Sequence, residues 1–65
     1  MMDEYFDEAK SENKLVAFVC CEKSNPVTNS EAFKKYASEN LYLLGMYYDG
    51  ETLYVFKNGK EITSG

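Results

Sequence analysis

Two adjacent thiols, Cys20 and Cys21, are the strongest nucleophiles in this sequence of 65 residues. Cys21-Glu22-Lys23-Ser24 places a hydroxyl three positions after the second thiol. Redox or nucleophilic chemistry there needs the Cys21 thiolate, stabilised by a following helix N-terminus and by Lys23. The competing reading is two small apolar residues finishing a strand, one on each face. Neighbouring cysteines rarely close a disulfide, because the ring is small and strained, and two are too few to staple a secreted domain. Both are expected to be reduced. As metal ligands they lack a second cysteine pair and any histidine, so a tetrahedral site is not filled and no metal is expected.

The other chemistry-bearing types narrow the field further. There is no His, Arg or Trp. Without His the chain lacks the usual base at neutral pH and cannot build a Ser-His-Asp triad. Without Arg it lacks the bidentate reader of guanine and phosphate. Seven lysines against eleven acids leave a net charge of −4, and only Lys34-Lys35 hints at a basic patch. Direct nucleic-acid binding is not expected. Asp49 and Glu51 flank Gly50, which reads as turn chemistry rather than an acid–base pair. Asp3, Glu4, Asp7, Glu8 and Glu12 read first as a solvated helix face. No cofactor is implied.

The elements that must position these residues are short. Met2, Tyr5, Phe6 and Ala9 share one helical face, and early acids suit a helix N-terminus, so a helix is expected from about 3 to 11. Leu15 to Cys20 is a continuous apolar run, expected as a strand buried on both faces and central in its sheet. Ser24-Asn25-Pro26 turns the chain. Thr28-Asn29-Ser30-Glu31 matches a capping box, opening a helix from about 29 to 39 with Phe33, Tyr36, Ala37 and Leu41 as its buried stripe and Asn40 as its stop. Leu41 to Tyr48 is apolar except at Gly45 and reads as a strand covered on both sides. Asp49-Gly50-Glu51 is a turn, Thr52 to Lys57 a strand, and Asn58-Gly59 a hairpin signal before a charged return strand, Lys60 to Thr63. The order is α-β-α-β-β-β, with a parallel crossover followed by antiparallel strands.

At this size folding buries about 60% of the chain's surface, a marginal amount. One small domain, residues 1–65, is the most the chain can hold, and a partner or self-association would help it. A composition of 45% hydrophobic residues argues against disorder, and no run approaches a membrane span. The acidic opening MMDEYFDEAK lacks the basic and apolar regions of a signal peptide, so a cytoplasmic location is expected.

Two stretches resemble the thioredoxin family. YFDEAKSENKLVAFV is similar to its opening helix and first core strand, and TLYVFKNGKEITSG to its closing hairpin. The resemblance implies an α/β (α+β) fold, a minimal thioredoxin-like domain with a mixed four-stranded sheet and one helix on each face. The family's Cys-x-x-Cys motif is absent, and Glu51 stands where its cis-proline would precede Thr52. Two of the family's helices are missing as well. Family strand order would place strand 14–20 between 41–48 and 52–57, a crossing of about 9.6 Å for the Asp49–Glu51 connection, which about 13 Å of extended chain can span. A plain 41–48/52–57 hairpin is the rival topology.

Loss of chemistry with retention of scaffold implies a non-catalytic module that binds another protein or a second copy of itself. The missing helices leave apolar sheet surface uncovered, and six tyrosines suit an interface. By position, the family's substrate-facing surface carries over to Glu22, Lys23, Ser24, Asn25 and Pro26, together with Tyr48, Asp49, Gly50, Glu51 and Thr52. One alternative is a monothiol oxidoreductase using Cys21, with Ser24 completing the Cys-x-x-Ser pattern of monothiol relatives. Another is a small acidic inhibitor, of the kind a virus would carry, that occupies a nucleic-acid-binding protein.

Overall fold

A computed structural model describes residues 2–62 and gives the order α1 (Met2–Ser11), β1 (Leu15–Glu22), α2 (Glu31–Asn40), β2 (Leu41–Asp49), β3 (Thr52–Lys57) and β4 (Lys60–Glu61). The expected order of elements holds. The return strand is shorter than expected, although the Ile62 amide still bonds the Val55 carbonyl at 2.7 Å. Thr63 lies outside the described residues.

Local chemistry explains the ends of each element. Asn13 takes φ 58°, the left-handed conformation that closes helices. The Lys14 amide bonds the Ala9 carbonyl at 2.9 Å and the Asn13 amide bonds Lys10 at 3.1 Å, the paired bonds of a Schellman stop. At α2 the expected Thr28–Glu31 capping box is not formed. Asn25 accepts from the Val27 and Thr28 amides, and the Thr28 hydroxyl donates back to the Asn25 carbonyl. That turn occupies Thr28, so Ser30 caps the helix by accepting from Phe33 N. Asn40 does not stop α2 in a left-handed turn either. The chain passes from helix directly into extended backbone at Leu41.

The sheet order is β1-β2-β3-β4, with β1 parallel to β2 and the remaining pairs antiparallel. This is the plain hairpin topology. β1 is an edge strand and not the central strand that its apolar run suggested, nor does it lie between β2 and β3 as in thioredoxin order. Nor is β1 buried on both faces: none of its residues is buried, and Leu15, Phe18 and Cys20 are exposed, because a continuous apolar run does not number a strand's neighbours. Both connections after β2 are two-residue turns. Gly50, with φ 64°, opens the first as a type II′ turn requires, and Asn58-Gly59 (φ 51° and 86°) forms a type I′ turn.

Side chains alternate across the strands, so the register fixes two faces. The front carries Val16, Phe18, Cys20 and Glu22, then Tyr42, Leu44, Met46 and Tyr48, then Leu53, Val55 and Lys57. The back carries Leu43, Gly45, Tyr47, Tyr54 and Phe56. α1 packs on the front, with Tyr5 and Ala9 against Val16, Tyr42 and Leu44. α2 lies over the back, where Phe33 and Ala37 share a cavity with Leu43, Gly45, Tyr47 and Phe56. One helix per face is therefore observed. Buried hydrophobic side chains among the described residues are confined to Ala9, Ala37, Tyr42 and Leu44. Phe6 and Tyr36, expected on the inner faces of their helices, are exposed, and so is Leu53. The molecule presents 4963 Å² to solvent, against about 4,200 Å² for a compact monomer of this mass.

Candidate functional site

The front face is only half covered. Ten helical residues span about 15 Å, whereas nine strand residues run about 30 Å, so α1 cannot shield the length of β2. The cluster it forms with the sheet joins Tyr5 and Ala9 to Val16, Tyr42 and Leu44. Phe18, directly opposite Leu44, and Met46, Tyr48 and Leu53 beyond it lie open, Phe18 to 62% and the others to between 36% and 43%. The register makes them one patch. Cys20 sits opposite Met46, Met46 opposite Val55, and Tyr48 opposite Leu53. A group of uncovered large apolar side chains on three adjacent strands is the feature most unlike an ordinary monomer surface.

The patch ends at the loops after β1 and β2. Because these strands run parallel, Glu22 stands opposite Tyr48, and the Lys23 amide bonds the Tyr48 carbonyl at 2.6 Å. Glu22, Lys23, Ser24, Tyr48, Asp49 and Gly50 consequently line one open cavity of about 410 Å³. Of the ten residues singled out as partner-binding from the sequence, these six come together. The remaining four do not line it. Asn25 is held in its turn by the Val27 and Thr28 amides, Pro26 and Glu51 are exposed, and Thr52 pairs with Asp49. The lysine of the group is not free in solution: Lys23 Nζ sits 4.1 Å from the centre of the Tyr54 ring.

The two thiols face opposite sides of β1. Exposed Cys20 donates to the Tyr48 hydroxyl at 3.7 Å, while half-buried Cys21 meets the Thr28 hydroxyl at 3.9 Å. A hydrogen bond in which the Cys20 sulfur takes the phenol proton, and then the charge of the thiolate, push the Tyr48 phenol above its ordinary pKa. Burial, with a smaller effect of Cys21, does the same for Tyr47. Helix α2 begins only at Glu31, and Thr28, which meets the Cys21 sulfur, lies outside it. The contact recorded for the Cys21 sulfur is with Thr28 and not with Ser24. Among the described residues no group of three or more Cys, Asp or Glu side chains converges as metal ligands would.

A second cavity was not anticipated. About 650 Å³ lies between α2 and the back of the sheet. Its floor is shaped by Gly45, where an added Cβ would come within 2.5 Å of the Tyr47 ring. That ring lies across the glycine and meets Phe56 edge-on at 5.6 Å between centroids. The signal in the sequence is the lone glycine within an otherwise apolar strand, which marks a close approach.

Compared with protein-family models, with curated proteins and with solved structures, the chain finds no match. Among the described residues no helix is long and apolar enough to cross a membrane.

Proposed function

We propose that this chain is a non-catalytic protein-binding module that engages another protein through the uncovered end of its front face. The observation that carries the reading is the joined patch of Phe18, Met46, Tyr48 and Leu53, which the chain's own helix leaves in water. Hiding it would add apolar burial to a domain whose own buried side chains are few. Acidic Glu22, Asp49 and Glu51 stand at the same end. The fitting partner therefore presents apolar side chains flanked by lysine or arginine. A thioredoxin-like ancestry, suggested by the two sequence stretches, belongs to this proposal as a source of the scaffold. A cytoplasmic setting belongs to it too, since both cysteines are free thiols.

The test is affinity capture with the wild-type chain and a Met46→Lys/Tyr48→Glu variant, using Lys35→Glu on α2 as a control outside the patch. Capture should survive Lys35→Glu and be lost in the double variant while its circular dichroism stays native. A binding partner retained equally by all three overturns the surface assignment.

A further inference from the structure

The two edges of the sheet are built differently. β4 closes one edge with two residues, both charged, which is how sheets discourage further pairing. β1 forms the other edge with eight residues, and from Leu15 to Cys21 it contains no charge, no proline and no glycine. Two of its large side chains are more than half exposed, Leu15 at 76% and Phe18 at 62%. Among the described residues no strand pairs with that edge.

The direction of its hydrogen-bonding groups follows from one bond. The Lys23 amide reaches inward to the Tyr48 carbonyl, and strand groups alternate in direction. The backbone groups of Val19 and Cys21 therefore face β2, and those of Val16, Phe18, Cys20 and Glu22 face outward. We propose that this edge pairs antiparallel with β1 of a second copy about a two-fold axis through Phe18, joining two four-stranded sheets into one of eight.

The register is chosen by charge. With Phe18 opposite Phe18 of the second copy, Val16 faces Cys20 and Lys14 faces Glu22, each twice by symmetry. The uncharged run is thus closed at both ends by opposite charges. Sliding by two residues either way sets Glu22 against Val16 or Lys14 against Cys20, which leaves the charges without mates. Phe18, Val16 and Cys20 are outward-facing residues, so the central pair and the two Val16–Cys20 pairs can exchange both backbone bonds, whereas the Lys14 amide is held by Ala9 and the Glu22 carbonyl by the Asn25 amide, so the outermost pairs meet through their side chains. Within the single chain the Lys14 side chain reaches the exposed Ser38 carbonyl of α2, on the back, and lies 3.8 Å from Glu12; both contacts are at the surface, and Lys14 gives them up to swing round the sheet edge to Glu22 of the second copy. The axis is perpendicular to the sheet, so the two front faces point the same way and their apolar patches meet at Phe18. The inference does not rest on the partner-binding reading, since backbone pairing needs neither Met46 nor Tyr48.

The experiment is sedimentation of the full chain over a range of concentrations, combined with residue-resolved amide exchange. The expected result is a monomer–dimer equilibrium in which the Val16, Phe18 and Cys20 amides become protected as concentration rises, while Val19 is protected throughout. Phe18→Pro removes an outward donor and no bond to β2, so it should abolish the dimer and keep the fold. Glu22→Lys should weaken the dimer about tenfold, and adding Lys14→Glu should restore it. Met46→Lys/Tyr48→Glu should leave it intact, which separates this test from that of the partner surface. A chain monomeric at all concentrations overturns the proposal, as does a dimer whose Val16, Phe18 and Cys20 amides still exchange freely. Protection of those amides only on adding a different protein would assign the edge to a foreign strand and overturn self-pairing.

Discussion

Tyr42 is the largest fully buried side chain, and its hydroxyl donates to Glu8 Oε1 at 2.5 Å, tying β2 to α1. Tyr42→Phe keeps the packed ring and loses that bond, so it should cost about 1 kcal/mol in denaturant unfolding. Tyr42→Ala also empties the space beneath α1 and should cost about 3–5 kcal/mol. Gly45 makes a different demand. Gly45→Ala drives a methyl into the Tyr47 ring and should destabilise by about 1–3 kcal/mol. In Tyr47→Ala the obstructing ring is gone, so Gly45→Ala should then cost much less. Equal costs in both backgrounds would show that the ring does not lie across the glycine. The thiols differ by exposure: alkylation resolved by mass spectrometry should modify Cys20 first. Cys21, half-buried beside Thr28, should react at a comparable rate only in denaturant. Faster native labelling of Cys21 would revive its redox reading.

At the scale of elements, much of the chain is legible in its residues, and the exceptions share a cause. Asn58-Gly59 specifies its turn because few residues accept positive φ twice in succession, and α1 is marked by Tyr5 and Ala9 one helical turn apart. The start of α2 differs from the expected one because Thr28 and Ser30 are both competent caps. Only the Asn25 turn decides between them, by engaging Thr28 first. Ser30→Ala should therefore cost about 1 kcal/mol, the usual value of a helix cap. Thr28→Ala should cost less and leave helicity unchanged, as read by circular dichroism during urea unfolding. The edge position of β1 departs from expectation for a physical reason too. Avoidance of water by Leu15 to Cys20 looks the same whether the covering strand belongs to this chain or to another. The candidate site was half legible for a related reason. Parallel β1 and β2 bring the ends Glu22–Ser24 and Tyr48–Gly50 together, whereas Phe18 and Leu53 join the patch only through the length of α1, which no local motif records.

For the whole molecule, the thin front-face core makes alkaline stability depend on one phenol. Burial first, and then the bond to Glu8, push the Tyr42 pKa from 10.0 up to about 12. The group is neutral when protonated, so a raised folded value means that the unfolded chain releases the proton more readily. The associated stability is complete below pH 10 and is lost as pH climbs towards 12. A net charge more negative than the −4 of neutral pH weakens any version of the protein in alkali, so the comparison must be made against a chain without the phenol. Tyr42→Phe begins less stable at neutral pH but has no proton to lose at that position. Urea midpoints measured from neutral pH upward should therefore converge as pH passes 10 and then cross, with the variant the more stable near pH 12. Ultraviolet absorbance should show tyrosinate from one residue appearing together with unfolding rather than before it. Parallel curves for the two proteins across that range would mean that Tyr42 ionises as easily folded as unfolded, and that the front face is open to water where the packing of α1 closes it.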